Sequence, residues 1–171
     1  MIPRGITLDA ARTRLSAMTR LSTGDPVPPF EMTADDGSVV SSDSLAGSRY
    51  VLFFYPKDDT PGCTAQACGL RDSWSRVTGT GIELFGVSPD SAKSHVKFRE
   101  KYALPYRLLS DDGHRVAEAF GVWIEKKFAG RTYYGNERST FVVGPDRRVE
   151  RVLAQVKPGE HVEQLMEALA A

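Results

Sequence analysis

Apolar residues near the start of the chain recur every three to four positions. Leu8, Ala11, Leu15 and Met18 share one face, with Arg12, Arg14 and Arg20 elsewhere. This pattern predicts an amphipathic helix from about Leu8 to Leu21, capped by Thr7. Gly24-Asp25-Pro26-Val27-Pro28-Pro29 cannot be helix, because its prolines lack the donor, so an extended linker is expected. Beyond it the period shortens. Phe30–Thr33 and Ser38–Val40 flank Asp35-Asp36-Gly37 as a hairpin, and Ser42 or Asp43 is expected to cap a short turn near Leu45. Tyr50–Tyr55 is a continuous apolar run, the mark of a strand buried on both faces. Pro61 and Gly62 end that pattern, and Cys63 to about Val77 suits a helix. Ile82–Ser88 is a second strand, and residues 91–103 form a helix carrying Val96, Phe98 and Tyr102. Arg107–Leu109 is a short strand, and Arg115–Phe120 a helix stopped by Gly121. Ser139–Val143 and Val149–Val156 are strands joined by Gly144-Pro145-Asp146-Arg147, before a closing helix over His161–Ala170.

Strand–helix–strand first and hairpin plus helix last is a thioredoxin-like order. It predicts an α/β fold, a central mixed sheet flanked by helices, with its first two long strands parallel through a right-handed crossover. A chain of 171 residues suits one such domain over 25–171, preceded by an extension over 1–24.

Twenty-two basic residues balance 22 acidic ones, so no basic footprint for nucleic acid is present. The apolar runs are too short for a membrane span, and the first residues do not form a secretory signal, so a cytoplasmic protein is expected. Asp9 counts against an organelle-targeting role for the first helix. No cofactor is expected: Gly79-Thr80-Gly81 precedes a strand and lacks the third glycine of a dinucleotide fingerprint. No metal is expected either, because His95, His114 and His161 are scattered without ligand spacing.

Cys63 and Cys68 are the only cysteines. Two cysteines do not make a disulfide scaffold. A close pair in a reducing compartment is more often catalytic, redox-sensing or metal-binding. Cys63 falls at a strand-to-helix turn, near a helix N-terminus whose free N–H groups and dipole favour an anion such as a thiolate. That end alone supplies about 0.3–1 kcal/mol, and up to about 2 when partly buried, less than a largely ionised thiol requires at neutral pH. A further cation is therefore needed. Four residues separate the cysteines, which rules out the Cys-x-x-Cys of a disulfide reductase. On a regular helix, Cα atoms five apart lie about 8–9 Å from each other, and a disulfide needs less than about 7 Å. The pair can join only if the first turn or two unwinds, and Gly62 and Gly69 flank the segment that would move.

Pro56, Thr60 and Cys63 match the Pro-x-x-x-Thr-x-x-Cys signature of peroxiredoxins. The surrounding Phe-Phe-Tyr-Pro-Lys-Asp-Asp-Thr-Pro-Gly-Cys-Thr, with Cys68 five residues on, resembles the bacterioferritin comigratory protein (PrxQ) branch. The likeness covers about residues 25–170. It implies a thiol peroxidase acting on hydrogen peroxide and organic hydroperoxides, with Cys63 as nucleophile passing through a sulfenic acid. It also implies that Arg138, in Asn136-Glu137-Arg138-Ser139-Thr140-Phe141, stabilises the sulfur anion and positions the peroxide. Thr60 would hydrogen-bond a peroxide oxygen, Pro56 would limit the loop and exclude water, and Cys68 would resolve the sulfenic acid into an intramolecular disulfide. Thioredoxin or a similar dithiol is the implied reductant, and a monomer or weak homodimer the implied state. Taken singly, Pro56 is a strand terminator, Thr60 a cap or turn residue, Arg138 a surface charge and Cys63 a small buried side chain. Cys68 can also stay reduced while another thiol resolves. A non-enzymatic redox sensor would use the same cysteines and stop after one oxidation. Trp123, Phe128, Tyr133 and Tyr134 are read either as walls of a pocket for organic peroxides or as ordinary packing.

Overall fold

The structure, a computed structural model, describes residues 20–170. The helix expected over 8–21 lies outside these residues except for Arg20 and Leu21. The elements are β1 (Glu31–Ala34), β2 (Val39–Ser41), β3 (Tyr50–Phe54), α1 (Pro61–Asp72), α2 (Trp74–Thr78), β4 (Glu83–Ser88), α3 (Ala92–Tyr102), β5 (Leu108–Ser110), α4 (Arg115–Phe120), β6 (Trp123–Phe128), β7 (Arg131–Asn136), β8 (Ser139–Val143), β9 (Val149–Leu153) and α5 (His161–Ala170), the last entered through a 3-10 turn at Pro158–Glu160.

A seven-stranded sheet in the order β2-β1-β5-β4-β3-β8-β9 forms the centre. β3, β4 and β5 run parallel, and β1, β2, β8 and β9 pair antiparallel around them, as expected of a mixed sheet. The apolar run of β3 serves both faces. Tyr50, Leu52 and Phe54 join Phe120, Phe141 and Val143 on one side. Val51, Phe53 and Tyr55 join Ala67 and Leu70 of α1, Phe98 of α3 and Leu165 of α5 on the other. Burial of a Phe or Leu side chain contributes roughly 1.5–3 kcal/mol each, so this strand anchors both cores. Gly86 in β4 leaves room for it: a Cβ there would stand 2.8 Å from both Phe53 Cζ and Leu108 Cδ2.

Three expectations change. The helix begins at Pro61, two residues before Cys63, because proline suits a first helical turn whose N–H groups have no partner. It also ends at Asp72, not Val77. Ser73, at φ −108° and ψ 18°, leaves the helical region, and Trp74 packs its ring 5.5 Å from that of Tyr106. Finally, β6 and β7 form a separate hairpin that the sequence pattern did not predict. Its turn is Ala129-Gly130, both at positive φ. Phe128, Tyr133 and Tyr134 on it are 75%, 48% and 60% exposed, so they are not core, while Trp123 stacks on His114 at 4.1 Å.

Before β1, Leu21 is buried and its N–H donates to the Phe120 carbonyl, and Arg20 pairs with Glu137. The Pro-rich linker bridges at Pro26 to Arg148. Among the described residues no helix is long and apolar enough to cross a membrane.

Candidate active site

β3 delivers the chain to the site, and α1 carries it away. Register places Phe54 opposite Ser139, so the exit of β3 and the entry of β8 share one sheet end. Asn136 Nδ2 donates to the Tyr55 carbonyl at 3.2 Å, and the Arg138 carbonyl accepts from the Val156 N–H at 2.8 Å. Arg138 is thereby held over the first turn of α1, 75 residues away in sequence from Cys63.

Cys63 lies in the first turn of α1 and is 2% exposed. Nη2 of the Arg138 guanidinium stands 3.5 Å from its Sγ, and Nη1 donates to Gln66 Oε1 at 2.5 Å. A cation thus lies beside the start of α1. Gly62 leaves room for this approach: a Cβ there would lie 3.1 Å from Arg138 Nη2, and the guanidinium would have to give way. Lys126 is a second cation near this site. It is half-buried, donates to the Asn136 carbonyl, and has its proton affinity lowered by burial and then by the Arg138 charge.

Thr60 is the N-cap of α1, at φ −98° and ψ 154°, but its side chain makes no capping bond. Its hydroxyl donates instead to the Lys57 carbonyl at 2.9 Å, which leaves the oxygen lone pairs free to accept. Pro56 is half-buried at the start of the loop. Cys68 lies near the far end of the same intact helix, half-buried, and both cysteines are free thiols. The structure therefore brings Cys63 and Arg138 together and sets Thr60 at the same helix start, while Cys68 stands apart from them, as its helical spacing requires.

The loop between Pro56 and Thr60 is fixed from beneath by Asp58. Its carboxylate accepts from Tyr55 OH at 2.6 Å and Ser94 Oγ at 2.8 Å, and lies 2.7 Å from His95 Nδ1. His95 Nε2 donates to the Leu109 carbonyl at 3.0 Å. Burial first, then the Asp58 charge, keeps the Tyr55 hydroxyl protonated far above the usual tyrosine range. Asp59 takes φ 55°, a conformation aspartate tolerates, and its carboxylate binds Lys101 at 2.8 Å and Tyr102 at 2.7 Å, which lower its pKa.

Asp58 and Gln66 were not among the sequence-derived candidates, His95 was considered only as a metal ligand, and Gly62 only as a flank of the segment that must unwind. A usable signal existed for the histidine: His95 and Phe98 lie three apart on the buried face of α3. A polar residue on an apolar helical face marks a hydrogen-bonded interior network.

A cysteine at a helix start under an arginine, on a mixed sheet flanked by helices, defines a thioredoxin-fold thiol site. The sequence model of the AhpC/TSA family matches residues 23–152, and the chain belongs to that family. It is 44% identical over 146 residues to a peroxiredoxin Bcp of Bacillus subtilis, covering 85% of this chain and 93% of that one. It is 42% identical to a peroxiredoxin Bcp of Escherichia coli, covering 84% and 92%. Among solved structures, a PrxQ cysteine mutant from Xylella fastidiosa superposes with a TM-score of 0.82 at 29% identity, covering 89% and 97%. A bacterioferritin comigratory protein from Xanthomonas campestris, studied for alkyl peroxide reduction, superposes at 0.77 with 33% identity, covering 82% and 90%.

Proposed function

We propose that the protein is a thiol peroxidase that reduces hydrogen peroxide and organic hydroperoxides. The observation that carries this reading is the Arg138 guanidinium 3.5 Å from the Cys63 sulfur at a helix start. The Cys63 thiolate attacks the terminal peroxide oxygen. The O–O bond breaks, the S–O bond forms, and the departing hydroxide or alkoxide takes up a proton, leaving a sulfenic acid. Thr60 Oγ1, whose own proton is engaged by Lys57, accepts the O–H of the entering peroxide. Arg138 stabilises the thiolate and then the charge developing on the leaving oxygen. Pro56 shields the loop. Cys68 attacks the sulfenic sulfur, an S–S bond forms, and water departs. Thioredoxin or a similar dithiol reduces the disulfide, in the cytoplasm, with the protein acting as a monomer or weak homodimer.

Steady-state kinetics with hydrogen peroxide and an alkyl hydroperoxide, coupled to thioredoxin and its reductase, test the reading. Continuous consumption is expected, and Cys63→Ser abolishes it while the fold remains. A single oxidation without turnover would assign a sensor, and a Cys63→Ser protein with wild-type activity would overturn the mechanism.

A further inference from the structure

We propose that His161 is a positioning residue for Arg138 and acts through Gln66, an inference that rests on the peroxidase reading above. His161 is the first residue of α5, 95 positions from Gln66, and its side chain is wholly buried, its ring 5.7 Å from that of Phe53. Gln66 Nε2 lies 3.0 Å from His161 Nδ1, and His161 Nε2 lies 2.9 Å from Thr140 Oγ1. Gln66 and Thr140 are also buried, so no water competes for these bonds.

The polarity of the chain is forced from one end. A guanidinium only donates, so the Gln66 group 2.5 Å from Arg138 Nη1 is the amide oxygen. The NH2 of Gln66 then points at His161, and Nδ1 must be bare to accept. The single imidazole proton sits on Nε2 and is donated to Thr140. Hydrogen bonds thus run in one direction, from Arg138 through Gln66 and His161 to Thr140. Burial, then the Arg138 charge, pushes His161 down to about 3, which agrees with the neutral ring the network demands.

Without an acceptor at His161, the buried Gln66 NH2 has no partner. The amide can then rotate, and its NH2 end would confront Arg138. The guanidinium would lose the bond that aims its other nitrogen at sulfur. Gln66 also lies between Cys63 and Cys68, so the same relay must part when α1 opens for the disulfide.

The test begins with imidazole nitrogen NMR of the reduced wild-type chain. A bare Nδ1, a protonated Nε2 and no titration of His161 across the neutral range are expected. The opposite tautomer, or an imidazolium, overturns the proposal without any variant. Stopped-flow oxidation by hydrogen peroxide follows. His161→Leu should slow it about tenfold, or about 1.4 kcal/mol in barrier. His161→Asn should recover most of the lost rate, because its Oδ1 falls where Nδ1 stood. In a Gln66→Met background, His161→Leu should cost nothing further, since the pair acts as a unit. Additive losses, or a folded leucine variant with the wild-type rate, would sink the proposal. A wild-type protein that consumes no peroxide would fail the peroxidase reading instead, and leave the tautomer result standing.

Discussion

Removing the charge of Arg138 is the most direct test of the site electrostatics. Nη2 of the guanidinium and Cys63 Sγ are 3.5 Å apart. Two unit charges at that separation interact by about 1 kcal/mol in bulk water, and by about 5 kcal/mol at the effective dielectric of a protein surface. Cys63 is buried and Arg138 half-buried, so the interaction lies nearer the upper of these figures. About 1.4 kcal/mol is already tenfold in rate. Arg138→Ala should therefore lower the thiolate fraction of Cys63 and slow its oxidation at least tenfold. Arg138→Lys should restore part of this. An ammonium supplies the charge but cannot hold the fork that now spans sulfur and Gln66 Oε1. Stopped-flow oxidation and ultraviolet thiolate absorbance at one fixed pH read both quantities. A folded Arg138→Ala protein with unchanged thiolate and unchanged rate would refute the assignment.

Cys68→Ser should still be oxidised once, then accumulate sulfenic or sulfinic acid on Cys63 by mass spectrometry, and lose thioredoxin-dependent turnover. In the wild type, forming the intramolecular bond should speed amide exchange over about residues 62–72, because α1 hydrogen bonds must open; a disulfide that joins two chains would contradict this. Gly62→Ala should hold or raise Tm through helix propensity, worth up to about 1 kcal/mol. It should nevertheless slow oxidation several-fold, since its Cβ would stand 3.1 Å from Arg138 Nη2; an unaltered rate would show that the guanidinium does not need the space. Folding buries His161 neutral, with its value lowered from 6.5 to about 3, while the unfolded chain binds that proton. Stability should consequently rise with pH between those values, by about 1.4 kcal/mol per unit from this group. Urea midpoints of His161→Asn should vary less steeply there, and parallel pH profiles would reject the assignment.

The local parts of this protein were legible in the order of its residues. The apolar run of β3 and the Pro61-Gly62 break place Cys63 near a helix start, because strand burial and helix initiation are written in neighbouring residues. The distance between Cys63 and Cys68, five residues apart, likewise follows from helical geometry alone. Arg138 could be named only by resemblance, since a partner 75 residues away leaves no periodic trace. The β6–β7 hairpin escaped for a different reason. Its strands are mostly exposed, so they carry no clean alternation, and Ala129-Gly130 is a weaker turn signal than Asn-Gly. Tertiary structure alone decided what surrounds the sulfur: the Gly62 gap under the guanidinium, the Asp58–His95 support, and the relay from Arg138 to Thr140. The gap depends on an arginine arriving from the start of a distant strand, and the other two on polar groups from distant segments meeting at hydrogen-bond distance in the interior. Such pairing is enforced by the cost of leaving either group unsatisfied, a cost that exists only once the chain has folded.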